Sequence, residues 1–180
     1  MTNNTKRIPP IVLKNVHIVA NRINGQNGKD NHPRNFSGIA IPPYNPAGER
    51  NFVIRLDPEQ VDIQELIDQG WNIKKGNPNP NDPDAIPPCY LRVKVRYFPK
   101  DEPHGFARMN PRIIKISGND TLGVDENNVG SLDNDEINYA NMTISGRWSE
   151  SPTYTGVTAY LAKMVVYLRE DDDDLSSLID

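Results

Sequence analysis

The sequence predicts an all-β fold, a small barrel or curled sheet with extended loops and one or two short helices. Three observations carry that expectation. Apolar residues alternate with period two in several short runs at irregular spacing. One stretch alone reads as a convincing helix. Sixteen prolines, 12 glycines and 21 asparagines, in 180 residues, break the chain into loops. Strands without regularly alternating helices disfavour a doubly wound α/β fold, although length alone also permits a β-sandwich. The length suits one domain with room for a tail.

The elements follow in order. Residues 11–23 alternate loosely and read as one long strand with a slip near Asn15. Residues 24–35 are turn chemistry, and 36–41 read as a short strand ended by Pro42 and Pro43. Phe52, Ile54 and Leu56 alternate with Val53 and Arg55 as a strand. Asp57 then suits a helix N-cap, Pro58 the first helical position, and Gly70 the C-terminal cap. Residues 71–74 are extended. Residues 75–88, with five prolines, form a surface insertion. Residues 90–98 are the cleanest strand and 112–117 another. The acidic stretch 121–137 has room for a short helix around 125–132. Residues 137–148 and 157–168 are the last two strands.

The net charge of −4 hides an asymmetry. Residues 170–180 carry six acids and no base, whereas residues 90–115 carry seven bases and two acids. A basic middle and an acidic end point to nucleic-acid contact plus an interaction tail. No run approaches the ~18 apolar residues of a membrane span. No apolar segment follows the N-terminal Lys6-Arg7, so no secretory signal is expected. A single cysteine, Cys89, makes no internal disulfide, which suits the cytoplasm.

The strand over residues 90–98 carries the chemistry. Leu91, Val93, Val95 and Tyr97 share one face; Tyr90, Arg92, Lys94, Arg96 and Phe98 share the other. The second face sets three cations about 6.6 Å apart between two aromatic rings. Such like charges repel, and an anionic backbone with bases stacked on the rings relieves the cost. A solvated strand face, or one opposed to the acids of 120–136, is the plainer alternative. Of Arg112 and Lys115, opposite in parity, one can join the same groove. Trp71 with Lys74, and Arg147 with Trp148, form further aromatic–basic clusters. Catalytic and metal signatures are missing: His17, His32 and His104 are scattered, and no phosphate loop or nucleophile motif is present. No cofactor or metal site is therefore expected, nor enzymatic activity.

A set of blocks then resembles one family. Arg50-Asn51-Phe52, Leu56-Asp57 and Gly70-Trp71-Asn72-Ile73-Lys74 are followed by Tyr90-Leu91-Arg92-Val93-Lys94-Val95-Arg96-Tyr97 and Pro111-Arg112-Ile113. Val129-Gly130-Ser131-Leu132-Asp133, residues 138–144 and residues 156–161 complete the order. This succession resembles the single-stranded DNA-binding proteins of tailed phages and prophages. The resemblance implies an OB-type fold over residues 10–169, after a flexible N-terminus of residues 1–9. It implies binding of single-stranded DNA without sequence preference, and no catalysis. It implies an acidic tail over 170–180 whose Asp171, Asp172, Asp173 and Asp174, with Leu178 and Ile179, modulate DNA access and recruit replication or recombination proteins. Tyr90, Arg92, Lys94, Arg96, Phe98, Arg112, Lys115, Trp71, Lys74, Arg147 and Trp148 are the expected DNA contacts. Family members carry an Arg-Pro-Tyr-x-Trp stretch where this chain reads Gly146-Arg147-Trp148, and this tail ends without an aromatic residue. The rival reading is a non-enzymatic β-barrel interaction or structural protein of a phage that does not bind DNA. Neither reading involves a membrane. Homo-oligomerisation or cooperative assembly on DNA is left open.

Overall fold

Alternation along nine strands sends one set of side chains into a single core and the other outward. The computed structural model describes residues 7–20, 33–40 and 46–170. Its strands are β1 (Ile11–Val16), β2 (Arg34–Asn35), β3 (Arg50–Leu56), β4 (Ile73–Lys75), β5 (Cys89–Val95), β6 (Arg112–Ser117), β7 (Asp120–Val124), β8 (Ile137–Glu150) and β9 (Thr155–Leu168). One α-helix, α1 (Ile63–Gln69), interrupts them among the described residues. All nine strands belong to one mixed sheet with the central order β1-β8-β9-β5-β3-β2. The fold is β-rich, as the alternation predicts. No helix among the described residues is long and apolar enough to cross a membrane.

The sheet curls without closing into a full barrel. Its first strand makes the turn. Asn15 adopts φ 52°, a left-handed conformation that asparagine tolerates, and the register of β1 against β8 shifts between Leu13 and Val16. Beyond this bulge the chain leaves β8 and meets β3. Ile18 bridges Ile54, the Val19 amide donates to the Val53 carbonyl at 2.9 Å, and the Arg55 amide donates to the His17 carbonyl. The slip expected near Asn15 is therefore the corner that curls the sheet. Inside the curl lie Phe36 and Phe52, stacked with centroids 5.0 Å apart, together with Ile54, Leu91, Val93, Ile144 and Met164.

Three local expectations are corrected. The helix starts at Ile63, capped by Asp62, whose carboxylate accepts from the Glu65 amide at 3.1 Å. Asp57 instead closes a preceding turn, accepting from the Glu59 and Gln60 amides. The Gln60 side-chain amide, in the turn before the helix, binds β1. It donates to the Lys14 carbonyl at 2.7 Å and accepts from the Lys14 amide at 2.9 Å, covering a sheet edge. Gly70 ends the helix at φ 98°, as expected. Residues 36–40 form no strand: the Asp133 carboxylate takes the Phe36 and Ser37 amides, and Arg34–Asn35 pair with β3 instead. Residue 41 lies outside the described residues. The acidic stretch forms β7 first, and its short helix is a 3-10 helix confined to Val129–Asp133 instead of spanning 125–132.

A close approach lies where β8 crosses Trp71. A Cβ on Gly146 would sit 2.7 Å from Trp71 Cη2 and 2.7 Å from Val157 Cγ1. Gly146→Ala should therefore cost about 1–3 kcal/mol through overpacking, read as a lower midpoint in urea unfolding at unchanged slope.

Candidate nucleic-acid interface

Pairing on both sides of β5 builds one outward face. Leu91, Val93 and Val95 are buried, so Arg92, Lys94 and Arg96 stand exposed on the opposite side, with Tyr90 half-buried. Residues directly opposite in a ladder share a face. On β3, Arg55 lies opposite Tyr90, Val53 opposite Arg92, and Asn51 opposite Lys94. On the other edge Lys74 of β4 lies opposite Tyr90, and Tyr160 of β9 lies beside Lys94. Ser145 and Arg147 of β8, paired with Tyr160 and Thr158, extend the face. Arg92 Nη1 donates to Asn51 Oδ1 at 2.6 Å, which orients the guanidinium.

Beyond β5 the chain rises off the sheet. Asn110 fastens the base of this excursion by accepting from the Phe98 amide at 2.6 Å and donating to the Phe98 carbonyl at 3.0 Å. The Glu102 carboxylate accepts from the amides of His104 and Phe106. These bonds set a 3-10 turn over Phe106–Met109. The Phe106 ring packs 5.5 Å from Phe98, and the Arg96 guanidinium lies 4.6 Å from the centre of the Phe98 ring. Between this wall and the β8–β9 hairpin lies a groove of about 840 Å³, lined by Arg96, Phe98, Phe106 and Met109 on one side and by residues 145–147 and 160–162 on the other. Among the described residues no cluster of three His, Cys, Asp or Glu side chains is placed to hold a metal ion.

Residues 31–177 match the family model described as "Putative phage ssDNA-binding domain". The chain belongs to this phage ssDNA-binding family. No curated protein matches it.

Within this family member the expected contact residues separate. Tyr90, Arg92, Lys94, Arg96, Lys74 and Arg147 share the outward face, and Phe98 lines the groove beside it. Arg112 lies next to Lys163 in the β6–β9 register, both exposed, farther along β9. Trp71 does not face solvent. It is 3% exposed, lies under Gly146, and its Nε1 donates to Gln69 Oε1, so it is a core residue. Lys115 is likewise withdrawn: its Nζ sits 2.9 Å from Asp135 Oδ2 and donates to Ser131 Oγ. Trp148 points to the side of its buried partner Val157, away from Arg147, and packs over Gly70 with Nε1 donating to Glu150. Asp171, Asp172, Asp173, Asp174, Leu178 and Ile179 lie outside the described residues. Sequence reading missed Arg55, Tyr160, Phe106, Met109 and Lys163. Tyr160 had a usable signal, because Val157, Ala159 and Leu161 alternate into the core around it. Phe106 and Met109 had none, since no periodicity places a loop residue over a sheet.

The acids of 120–136 do not oppose the β5 cations. They meet Lys115 and Arg50, the latter 4.0 Å from Glu126. Arg34 Nη1 donates to the carbonyls of Leu132 and Asp135 beside them. Tyr97, on the core side of the strand end, packs near the Arg50 guanidinium, and burial pushes its hydroxyl up to about 12 against that cation's opposing pull. The hydroxyl has no hydrogen-bond partner among the described residues. A raised tyrosine value means the folded state holds the proton more tightly. Its contribution is whole below the ordinary value near 10 and is lost as pH climbs through about 12. Tyr97→Phe should be at least as stable as the parent at pH 7, because it removes a buried hydroxyl without a partner, and should lose less between pH 10 and 12, measured by chemical denaturation across that range.

Proposed function

We propose that this protein coats single-stranded DNA without sequence preference during phage replication or recombination, and that it performs no catalysis. The observation that carries this reading is the outward face itself. Arg55, Lys74, Arg92, Lys94, Arg96 and Arg147 surround Tyr90 and Tyr160 on one side of one sheet, and the groove beside Phe98 opens from it. Cations spaced along neighbouring strands track phosphates, and rings between them offer sequence-tolerant stacking. Membership of the phage ssDNA-binding family supports the same ligand.

The strand order supports an OB-type reading. β1 with its continuation past the bulge, β3, β5, β8 and β9 make five strands of a partly open barrel. β3 and β5 are then its second and third strands, the pair whose face binds oligonucleotides in OB folds. The turn at 151–154 is the loop between the fourth and fifth. The six acids of residues 170–180 are opposite in charge to this cationic track, as DNA phosphates are. In this reading they compete with DNA for it and, once displaced, offer Leu178 and Ile179 to replication proteins.

Binding of labelled poly-dT, followed by anisotropy across a salt series, tests the assignment. The log–log slope is near −0.7 per neutralised phosphate, so replacing Arg92, Lys94 and Arg96 together with alanine should reduce its magnitude by about 2. An unchanged slope removes this face from the interface. The same titration on a chain ending at Arg169 should show tighter binding to short oligonucleotides at low salt; equal affinity removes the competing role of the tail.

A further inference from the structure

The phosphate track explains affinity but not preference for a single strand, because phosphate contacts discriminate little between nucleic acids. The groove beside it supplies what the track lacks. Phe106 and Met109 are 39% and 49% exposed although both are large and apolar. They sit side by side on one short turn, and that turn is not loose: Glu102 and Asn110 fix its two ends through four hydrogen bonds to backbone groups. Rigid exposed apolar side chains facing a groove mark a binding surface. The groove, at about 840 Å³, has the volume of a small-molecule site. Its lining is of two kinds: the rings and thioether of Phe98, Phe106, Tyr160 and Met109, and the cations Arg96 and Arg147. Tyr160 lies in register with Lys94, so the groove opens directly from the phosphate track.

We propose that this groove takes unpaired nucleobases, with Phe106 as the stacking ring and Met109 beside it, and that it makes the protein selective for single strands. The inference rests on the reading of the outward face as a single-stranded DNA track. The two cations in the lining commit the occupant to DNA: a base entering beside Arg96 and Arg147 brings its own phosphates to them, whereas an apolar peptide would leave both cations unsatisfied. In a duplex the bases are paired and stacked on one another, so none is free to enter.

Two labelled 12-nucleotide probes of equal charge separate the contributions, one of thymidines and one of abasic sugars. At low salt the parent protein should bind the thymidine probe at least tenfold more tightly than the abasic one. Phe106→Ala should weaken thymidine binding about tenfold, as for one lost stack, and leave abasic binding unchanged. Phe106→Leu keeps apolar bulk in the turn and should follow Phe106→Ala, which separates loss of the ring face from loss of packing. Equal loss on both probes, or no loss on thymidine, overturns the proposal. Parent protein that binds both probes equally overturns it while leaving the phosphate track in place. Parent protein that binds neither overturns the single-stranded DNA reading and the groove with it.

Discussion

Two parallel neighbours on one edge of β9 set the shape of this protein. β8 holds the other edge over nearly its whole length, and the free edge is divided between β5 at Tyr160 and β6 from Lys163 onward. Both run in the direction of β9, with β6 farther along it, so the edge is shared by two segments in line. Residues 96–111 are an insertion between them, and Arg96, Phe98, Phe106 and Met109 of that insertion line the groove. The wall of the groove is thus built where this edge is interrupted. Asn110 turns it from an arbitrary loop into a fixed one by closing both backbone groups of Phe98.

Charge is sorted by the same architecture. The acids of 120–136 fold against Arg34, Arg50 and Lys115 at one margin of the sheet, where partial burial strengthens each contact. None of the ion pairs among the described residues involves Lys94 or Arg96. Those two keep their charge on a solvent-facing surface, where an exposed pair would have stabilised little in any case. An anionic polymer arriving there finds cations that the fold has not consumed. The rings supply the second component, Tyr90 between Arg55 and Lys74, and Tyr160 beside Lys94.

The legible parts of the sequence were those with a period. Residues 90–98 alternate without interruption, so both faces of β5 could be assigned before any coordinates. The Asn15 slip was visible for the same reason. The start of α1 was not, because Asp57 and Asp62 are both competent caps: Asp57 closes a turn on the Glu59 amide, and Asp62 takes the Glu65 amide and caps the helix. Trp71 was misplaced because a tryptophan beside lysines reads alike whether it stacks on a ligand or fills a hollow. The hollow exists because Gly146, 75 residues later, has no side chain. Lys115 was misplaced because its partner Asp135 reaches it through the folding of a loop. Phe106 and Met109 owe their position to the return path to β9, which no local pattern records.

The central claim is that DNA lies across the outward face of β5 and into the groove under the Phe106 turn. Photo-crosslinking addresses it most directly. A single-stranded oligonucleotide carrying 5-iodouracil is irradiated in complex with the full chain, and the adducts are mapped by peptide mass spectrometry. The account predicts adducts on Tyr90, Phe98, Phe106 or Tyr160. Adducts confined to Tyr139 and Tyr167, whose rings stack on each other at 4.6 Å beyond the track, or to Trp148 beside Gly70, would contradict it.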